Sequence, residues 1–92
     1  MGKFKLGQVV TTASIAVDIA DNKKFAKDVT AALMRYTNCD WGDTCAEDAQ
    51  INDEAVKSGD RILAAYDTCN GTIWIITEWD RSATTILYPE DY

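Results

Sequence analysis

The run Arg61-Ile62-Leu63-Ala64-Ala65-Tyr66-Asp67-Thr68-Cys69-Asn70-Gly71-Thr72-Ile73-Trp74-Ile75-Ile76-Thr77-Glu78-Trp79 decides the fold. Its two arms, 61–67 and 72–79, are rich in the β-branched and aromatic side chains that suit a pleated, half-buried surface. Between them stands Asn70-Gly71, a strong hairpin signal because both residues of a tight two-residue turn must tolerate positive φ. With those two residues as the turn, Tyr66 is expected opposite Ile75, Ala64 opposite Thr77 and Ile62 opposite Trp79. One face then carries Ile62, Tyr66, Ile73, Ile75 and Trp79. The other carries Leu63, Ala65, Trp74 and Ile76, with Asp67 and Glu78 among them.

Toward the C-terminus, Asp80-Arg81-Ser82 makes a second turn into a strand over 83–88, which Pro89 ends by removing a donor. The register of this second hairpin stays open, because a one-residue change swaps its faces. Toward the N-terminus, 6–12 contains Val9, Val10, Thr11 and Thr12 and favours a strand that adds a fourth to the meander. The segment 14–20 is apolar but too short for its period to separate strand from helix. Beyond it, Asp21 or Asn22 caps a helix over 23–36, in which Phe25, Val29, Leu33 and Tyr36 recur at helical spacing on one face. Thr44-x-x-Glu47 fits a capping box for a second, short and mostly solvated helix over 45–58, stopped by Gly59. The expected fold is α+β: a small antiparallel meander of three to four strands packed on one amphipathic helix, plus a second short helix.

Ninety-two residues suit a single domain, since so short a chain buries only about two-thirds of its unfolded surface and cannot support two cores. A hydrophobic fraction of 47% with three Trp, four Tyr and two Phe argues for a real core and against disorder. The longest apolar stretch, Ile73 to Ile76, is far too short to cross a membrane, and the first residues lack the apolar run of a signal peptide. Met1-Gly2 is followed by Leu6 where a myristoylation signal needs Ser or Thr. Cys39, Cys45 and Cys69 are odd in number, and reduced thiols in the cytoplasm are the plain expectation. There is no histidine, and the cysteine spacing suits no known metal set, so neither a metal nor a cofactor is expected.

The net charge of −6 speaks against direct nucleic-acid binding, whose affinity comes largely from Lys and Arg on phosphates. The imbalance is concentrated. Between Arg35 and Lys57 stand Asp40, Asp43, Glu47, Asp48, Asp53 and Glu54 with no base among them, while the nine other acids match all nine bases.

Three patches carry a family resemblance: Asp40-Trp41-Gly42-Asp43; Asn52-Asp53-Glu54-Ala55 through Gly59-Asp60-Arg61; and the stretch from Ile73-Trp74-Ile75-Ile76 through Trp79-Asp80-Arg81-Ser82 to Tyr88-Pro89-Glu90-Asp91-Tyr92. From about Leu6 onward the chain resembles a group of short plasmid-related proteins of Gram-positive bacteria and their mobile elements, some labelled type I restriction subunit M. The resemblance implies a mobile-element setting. Methyl transfer is not implied, because an adenine methyltransferase needs a cofactor-binding α/β domain and an Asn/Asp-Pro-Pro-aromatic loop, and this chain has one proline. The family often has a histidine shortly before the Asp-Trp-Gly patch; Tyr36 stands near that position here, which weakens any histidine-dependent activity.

The functional expectation is a non-enzymatic accessory protein whose acidic segment contacts a protein partner with a basic surface. Its candidate contact residues are Asp40, Trp41, Asp43, Glu47, Asp48, Asp53 and Glu54. Each has a plainer reading. A charge run is usually a solvated face. A Trp between two helices plugs the end of a core as readily as it anchors an interface, and the plug is preferred. The alternative function is a self-associating module, a homodimer through the apolar face bearing Trp74 and Ile76, or head-to-tail contact between the Lys3, Lys5, Lys23, Lys24 and Lys27 half and the acidic middle. A catalytic reading of Glu78, Asp80 and Arg81 is weakest, with Arg81 expected to pair with Asp80 or a neighbouring acid and fix the turn.

Overall fold

A computed structural model describes residues 3–92, so the reading of Met1-Gly2 lies outside the described residues. In chain order the elements are β1 (Gln8–Thr11), α1 (Ala13–Asp21), α2 (Lys23–Thr37), α3 (Ala46–Ser58), β2 (Ile62–Thr68), β3 (Gly71–Thr77) and β4 (Ala83–Leu87). A single 3-10 turn, Pro89–Asp91, follows. The fold is α+β, with three helices and a four-stranded, mostly antiparallel sheet of order β1-β4-β3-β2.

The central hairpin forms with a register two residues from the expected one. Thr68 pairs with Gly71, Tyr66 with Ile73, Ala64 with Ile75 and Ile62 with Thr77. Cys69 and Asn70 are the turn, and of the Asn-Gly pair only Gly71 takes positive φ, at 96°. One left-handed glycine after an ordinary turn does the work that a mirror-image turn would ask of two residues. Thr68 closes the turn by donating its hydroxyl to the Gly71 carbonyl and accepting the Asn70 N–H. Because the shift is even, the faces survive it. Trp79 is the exception: β3 ends at Thr77, and Trp79 is 68% exposed instead of joining the core face.

The second hairpin pairs Trp74 with Leu87, Ile75 with Ile86 and Thr77 with Thr84. Beyond β4 lies β1, parallel to it with Gln8 against Ala83, so the fourth strand does not extend an antiparallel meander. Parallel neighbours need a long connection, and α1 to α3 with the central hairpin supply it.

The ambiguous segment 14–20 is helix α1. Ile15 and Ile19 lie one helical turn apart, and Ile15 is fully buried. Asn22 then caps α2 by accepting the Phe25 N–H at 3.1 Å. α2 buries Phe25, Val29, Ala32 and Tyr36 against Ile62, Ala64, Tyr66, Ile73, Ile75 and Ile86 of the sheet. Each wholly buried Ile or Phe there contributes about 1.5–3 kcal/mol. α3 has thirteen residues and is regular, but the Thr44 capping box does not form. Cys45 is the N-cap residue and makes no side-chain cap bond, while the Thr44 hydroxyl is engaged by the Trp41 carbonyl and the Ala65 N–H. Gly59 ends the helix at φ 84°, in the left-handed conformation expected of it.

A chain of hydroxyls crosses the buried centre. Tyr36 bonds the Ile62 carbonyl and Thr77 Oγ1 (2.7 Å); Thr77 bonds Thr84 (2.8 Å), which donates to the Leu6 carbonyl (2.7 Å). Burial pushes the Tyr36 hydroxyl well above the ordinary phenol value. The opposite sheet face is partly closed by the chain's own end: the Tyr92 ring meets Trp74 edge-on at 5.7 Å, and Ile76 and Leu87 are buried. Among the described residues no helix is long and apolar enough to cross a membrane.

Candidate protein interface

At the end of α2 the chain reverses. Cys39 takes a left-handed φ of 62°, and the N–H groups of Asn38, Cys39 and Asp40 return to carbonyls of Arg35 and Tyr36. This brings Asp40 under Arg35, whose Nε and Nη2 donate to its two carboxylate oxygens at 2.9 and 3.2 Å. Those bonds, with the Gly42 N–H, hold the Asp40 carboxyl below the usual aspartate value. The Arg35 guanidinium also lies over the Tyr66 ring, and the Tyr66 hydroxyl donates to the Asp40 carbonyl.

Trp41 turns inward. It is 6% exposed, packs edge-on against Tyr36 at 5.5 Å, and donates its indole N–H to Asp53 Oδ1 at 2.8 Å. It is the plug between α2 and α3, not a surface anchor. Asp53 is thereby committed to holding it.

The same segment closes the outer edge of β2. Gly42 bridges to Ala65, the Asp43 N–H donates to the Ala65 carbonyl (2.9 Å), and the Ala65 N–H donates to Thr44 Oγ1 (3.0 Å). One residue pair along, the buried Asn52 side chain donates to the Leu63 carbonyl (2.8 Å) and accepts the Leu63 N–H (3.4 Å). Asn52 therefore imitates a neighbouring strand. Gly42 has φ 64°, and a Cβ there would stand 2.6 Å from the Ala65 carbonyl oxygen and closer still to the Tyr66 ring. Sequence reading passed over Thr44 and Asn52 in this role. The available signal was a polar Asn three residues before Ala55 and four before Val56, hence on the inward side of α3.

All six acids of the candidate set are exposed, but Asp40 and Asp53 are engaged, which leaves Asp43, Glu47, Asp48 and Glu54 without a side-chain partner among the described residues. The described residues hold two ion pairs, Lys24–Asp28 and Arg35–Asp40, and neither involves these four. Glu47 and Asp48 lie in the first turn of α3, where carboxylates favour the positive end of the helix dipole. Ile51, 58% exposed, sits among them on the outer face of α3. A cleft lined by Asp48, Ile51, Asn52, Arg61 and Leu63 borders the acidic face, so one base flanks it. Arg61 is engaged by Tyr92, donating to its hydroxyl at 3.0 Å.

Glu78, Asp80 and Arg81 do not form an acid–base pair. Arg81 donates to the carbonyls of Ala55 (2.9 Å), Asp60 (2.7 Å) and Glu78 (3.1 Å), so it fastens the end of α3 to the β3–β4 turn and does not pair with an acid. Asp80 accepts from Ser82, which lowers its pKa. Cys39 is half-buried and its thiol is raised by burial; Cys45 and Cys69 are exposed and free.

No protein family model, curated protein or solved structure matches this chain.

Proposed function

We propose that the protein is a non-enzymatic accessory factor that docks on a basic surface of another protein through the outer face of α3. The observation that carries this reading is the set Asp43, Glu47, Asp48 and Glu54, exposed and, among the described residues, without ion pairs around the exposed Ile51. Glu47, Asp48 and Glu54 stand on a helix held to β2 by Asn52 and to the core by Trp41, and Asp43 stands on the turn before it, so docking orders little backbone. Trp41 acts from beneath this surface, while the exposed Asp40 and Asp53 are tied to Arg35 and to the Trp41 indole and hold it in shape. The resemblance to plasmid-related proteins supplies a mobile-element setting in the bacterial cytoplasm. There, a Lys- and Arg-lined groove of a nucleic-acid enzyme is a surface that rigid carboxylates fit. The reading calls for no cofactor, metal or membrane.

The test is retention of host proteins on the immobilised chain at low and high salt, beside a variant carrying Asp43→Asn, Glu47→Gln, Asp48→Asn and Glu54→Gln. A partner held by charge is expected to elute as salt shortens the screening length, and to be absent from the variant. Partners retained equally by both proteins at high salt would remove the basis for this reading.

A further inference from the structure

We propose that β1 is a dimerisation edge, where two copies of this chain join antiparallel about a two-fold axis through Val10. β1 ends the sheet order. The N–H groups of Gln8 and Thr12 donate to the Ser82 and Ile86 carbonyls of the β4 side. Alternation then turns the N–H and C=O groups of Val9 and Thr11 the other way, where no strand lies. All four residues of β1 are exposed, Val9 at 42% and Val10 at 36%. The strand carries no Lys, Pro or bulge of the kind that blunts natural edges. With the two-fold at Val10, Val9 of each copy faces Thr11 of the other. Both outward pairs exchange backbone hydrogen bonds, and the two Val10 side chains meet at the axis on one sheet face.

Two features select a second copy over an extended peptide. The apolar surface continues from β1 onto α1, one residue away: Ala13, Ala16, Val17 and Ala20 share one helix side and are all exposed, Val17 at 59%. A peptide strand would cover the edge and leave that side bare, whereas a second copy brings its own α1 to the axis. Second, residues 7–17 contain no charged side chain in a chain of net charge −6. Two like-charged molecules repel least where this stretch meets itself: the Asp91 carboxylate beside it is held by the Thr12 and Ser14 hydroxyls, and Asp43, Glu47, Asp48 and Glu54 lie toward the far edge of the sheet, beside β2. The dimer is an eight-stranded sheet that presents one acidic α3 face at each end. This inference stands independently of the proposed partner.

Molecular mass of the intact chain in solution, followed from about 10 μM to about 1 mM, tests it by mass action. The wild type is expected to pass from monomer to dimer, with the Val9 and Thr11 amides becoming protected from hydrogen exchange as it does. Val10→Lys places like charges face to face at the axis and weakens association by about tenfold or more. Val9→Pro removes an outward N–H that β4 does not use, and should have the same effect. Both variants are expected to keep the wild-type near-ultraviolet circular dichroism, the check that they stay folded. A wild type that remains monomeric at the highest concentration overturns the proposal. So does a dimer unaffected by both β1 changes, or one abolished by the four α3 substitutions.

Discussion

The two edges of the sheet meet the same problem in opposite ways. Along β2 the outward N–H and C=O groups of Leu63 and Ala65 are taken by Asn52, Thr44 and Asp43, and the covering segment is acidic. Along β1 the outward groups of Val9 and Thr11 face no strand, and residues 7–17 carry no charge of their own. Closing an edge with side chains demands residues of fixed length at fixed places, here Thr44 and Asn52. Leaving the other edge open demands nothing of sequence, and that is how β1 looks.

The largest expected effect comes from breaking the closed edge at its tightest point. Gly42→Ala puts a Cβ against the Ala65 carbonyl and the Tyr66 ring at positive φ. It should destabilise the fold by about 3 kcal/mol in urea unfolding. A loss below one kilocalorie would mean the 40–44 segment can lift away from β2 freely.

Asn52→Ala follows. It strips both partners from Leu63 and turns a closed edge into a second open one, at about 2 kcal/mol. Light scattering should show the variant aggregating, and a variant no more prone to associate than wild type would argue that α3 shields the edge by bulk alone.

A smaller change tests what links the edges. The hydroxyl chain from Tyr36 through Thr77 and Thr84 runs from the Ile62 carbonyl in β2 to the Leu6 carbonyl just before β1. Tyr36→Phe cuts it at one end and should lose about 1 kcal/mol, with slower loss of β1 amide protection than of β2. Equal loss at both edges would show the chain acting as one unit.

The smallest effect is a pH dependence. The folded-state pKa of Asp40 lies below its unfolded value because Arg35 bonds its carboxylate. Its contribution is therefore complete above the ordinary aspartate pKa and disappears as pH falls through the lowered one. The pair is half exposed, so the acid-side loss should be modest. An Asp40→Asn variant that keeps the wild-type slope below the ordinary aspartate range would show other carboxylates carry it.

The α+β class, the central hairpin, its faces and helix α2 were legible because each rests on a periodic signal: alternation around Asn70-Gly71, and Phe25, Val29, Leu33 and Tyr36 at helical steps. The register was not, since Asn-Gly fits two turn geometries and only the backbone at Gly71 separates them. α1 stayed open between strand and helix because its nine residues, seven apolar or small and two Asp, hold only about two and a half turns of pattern. β1 beside β4 depended on partners at opposite ends of the chain, which local pattern cannot report. Of the candidate interface, the charge excess was plain in the sequence. Its division into engaged residues (Asp40, Trp41, Asp53) and unengaged ones (Asp43, Glu47, Asp48, Glu54) was set by hydrogen bonds to Arg35 and between Trp41 and Asp53, across a reversal at Cys39 that no composition reveals.

The parallel pairing of β1 with β4 also dictates an order of events in folding. The β2–β3 and β3–β4 hairpins close over short loops, whereas Gln8 must find Ala83 from the other end of the chain. Long-range closure comes late and opens early, because its entropy must be recovered from few contacts. β1 is thus the strand added last and released first, and while it is away β4 becomes the sheet's raw edge. A neighbouring chain's β1 fits that vacancy as well as its own does, so concentrated refolding should yield exchanged pairs. The amides of Gln8 and Thr12 should then exchange with solvent well before those of Ile73 and Ile75 in the middle of the sheet.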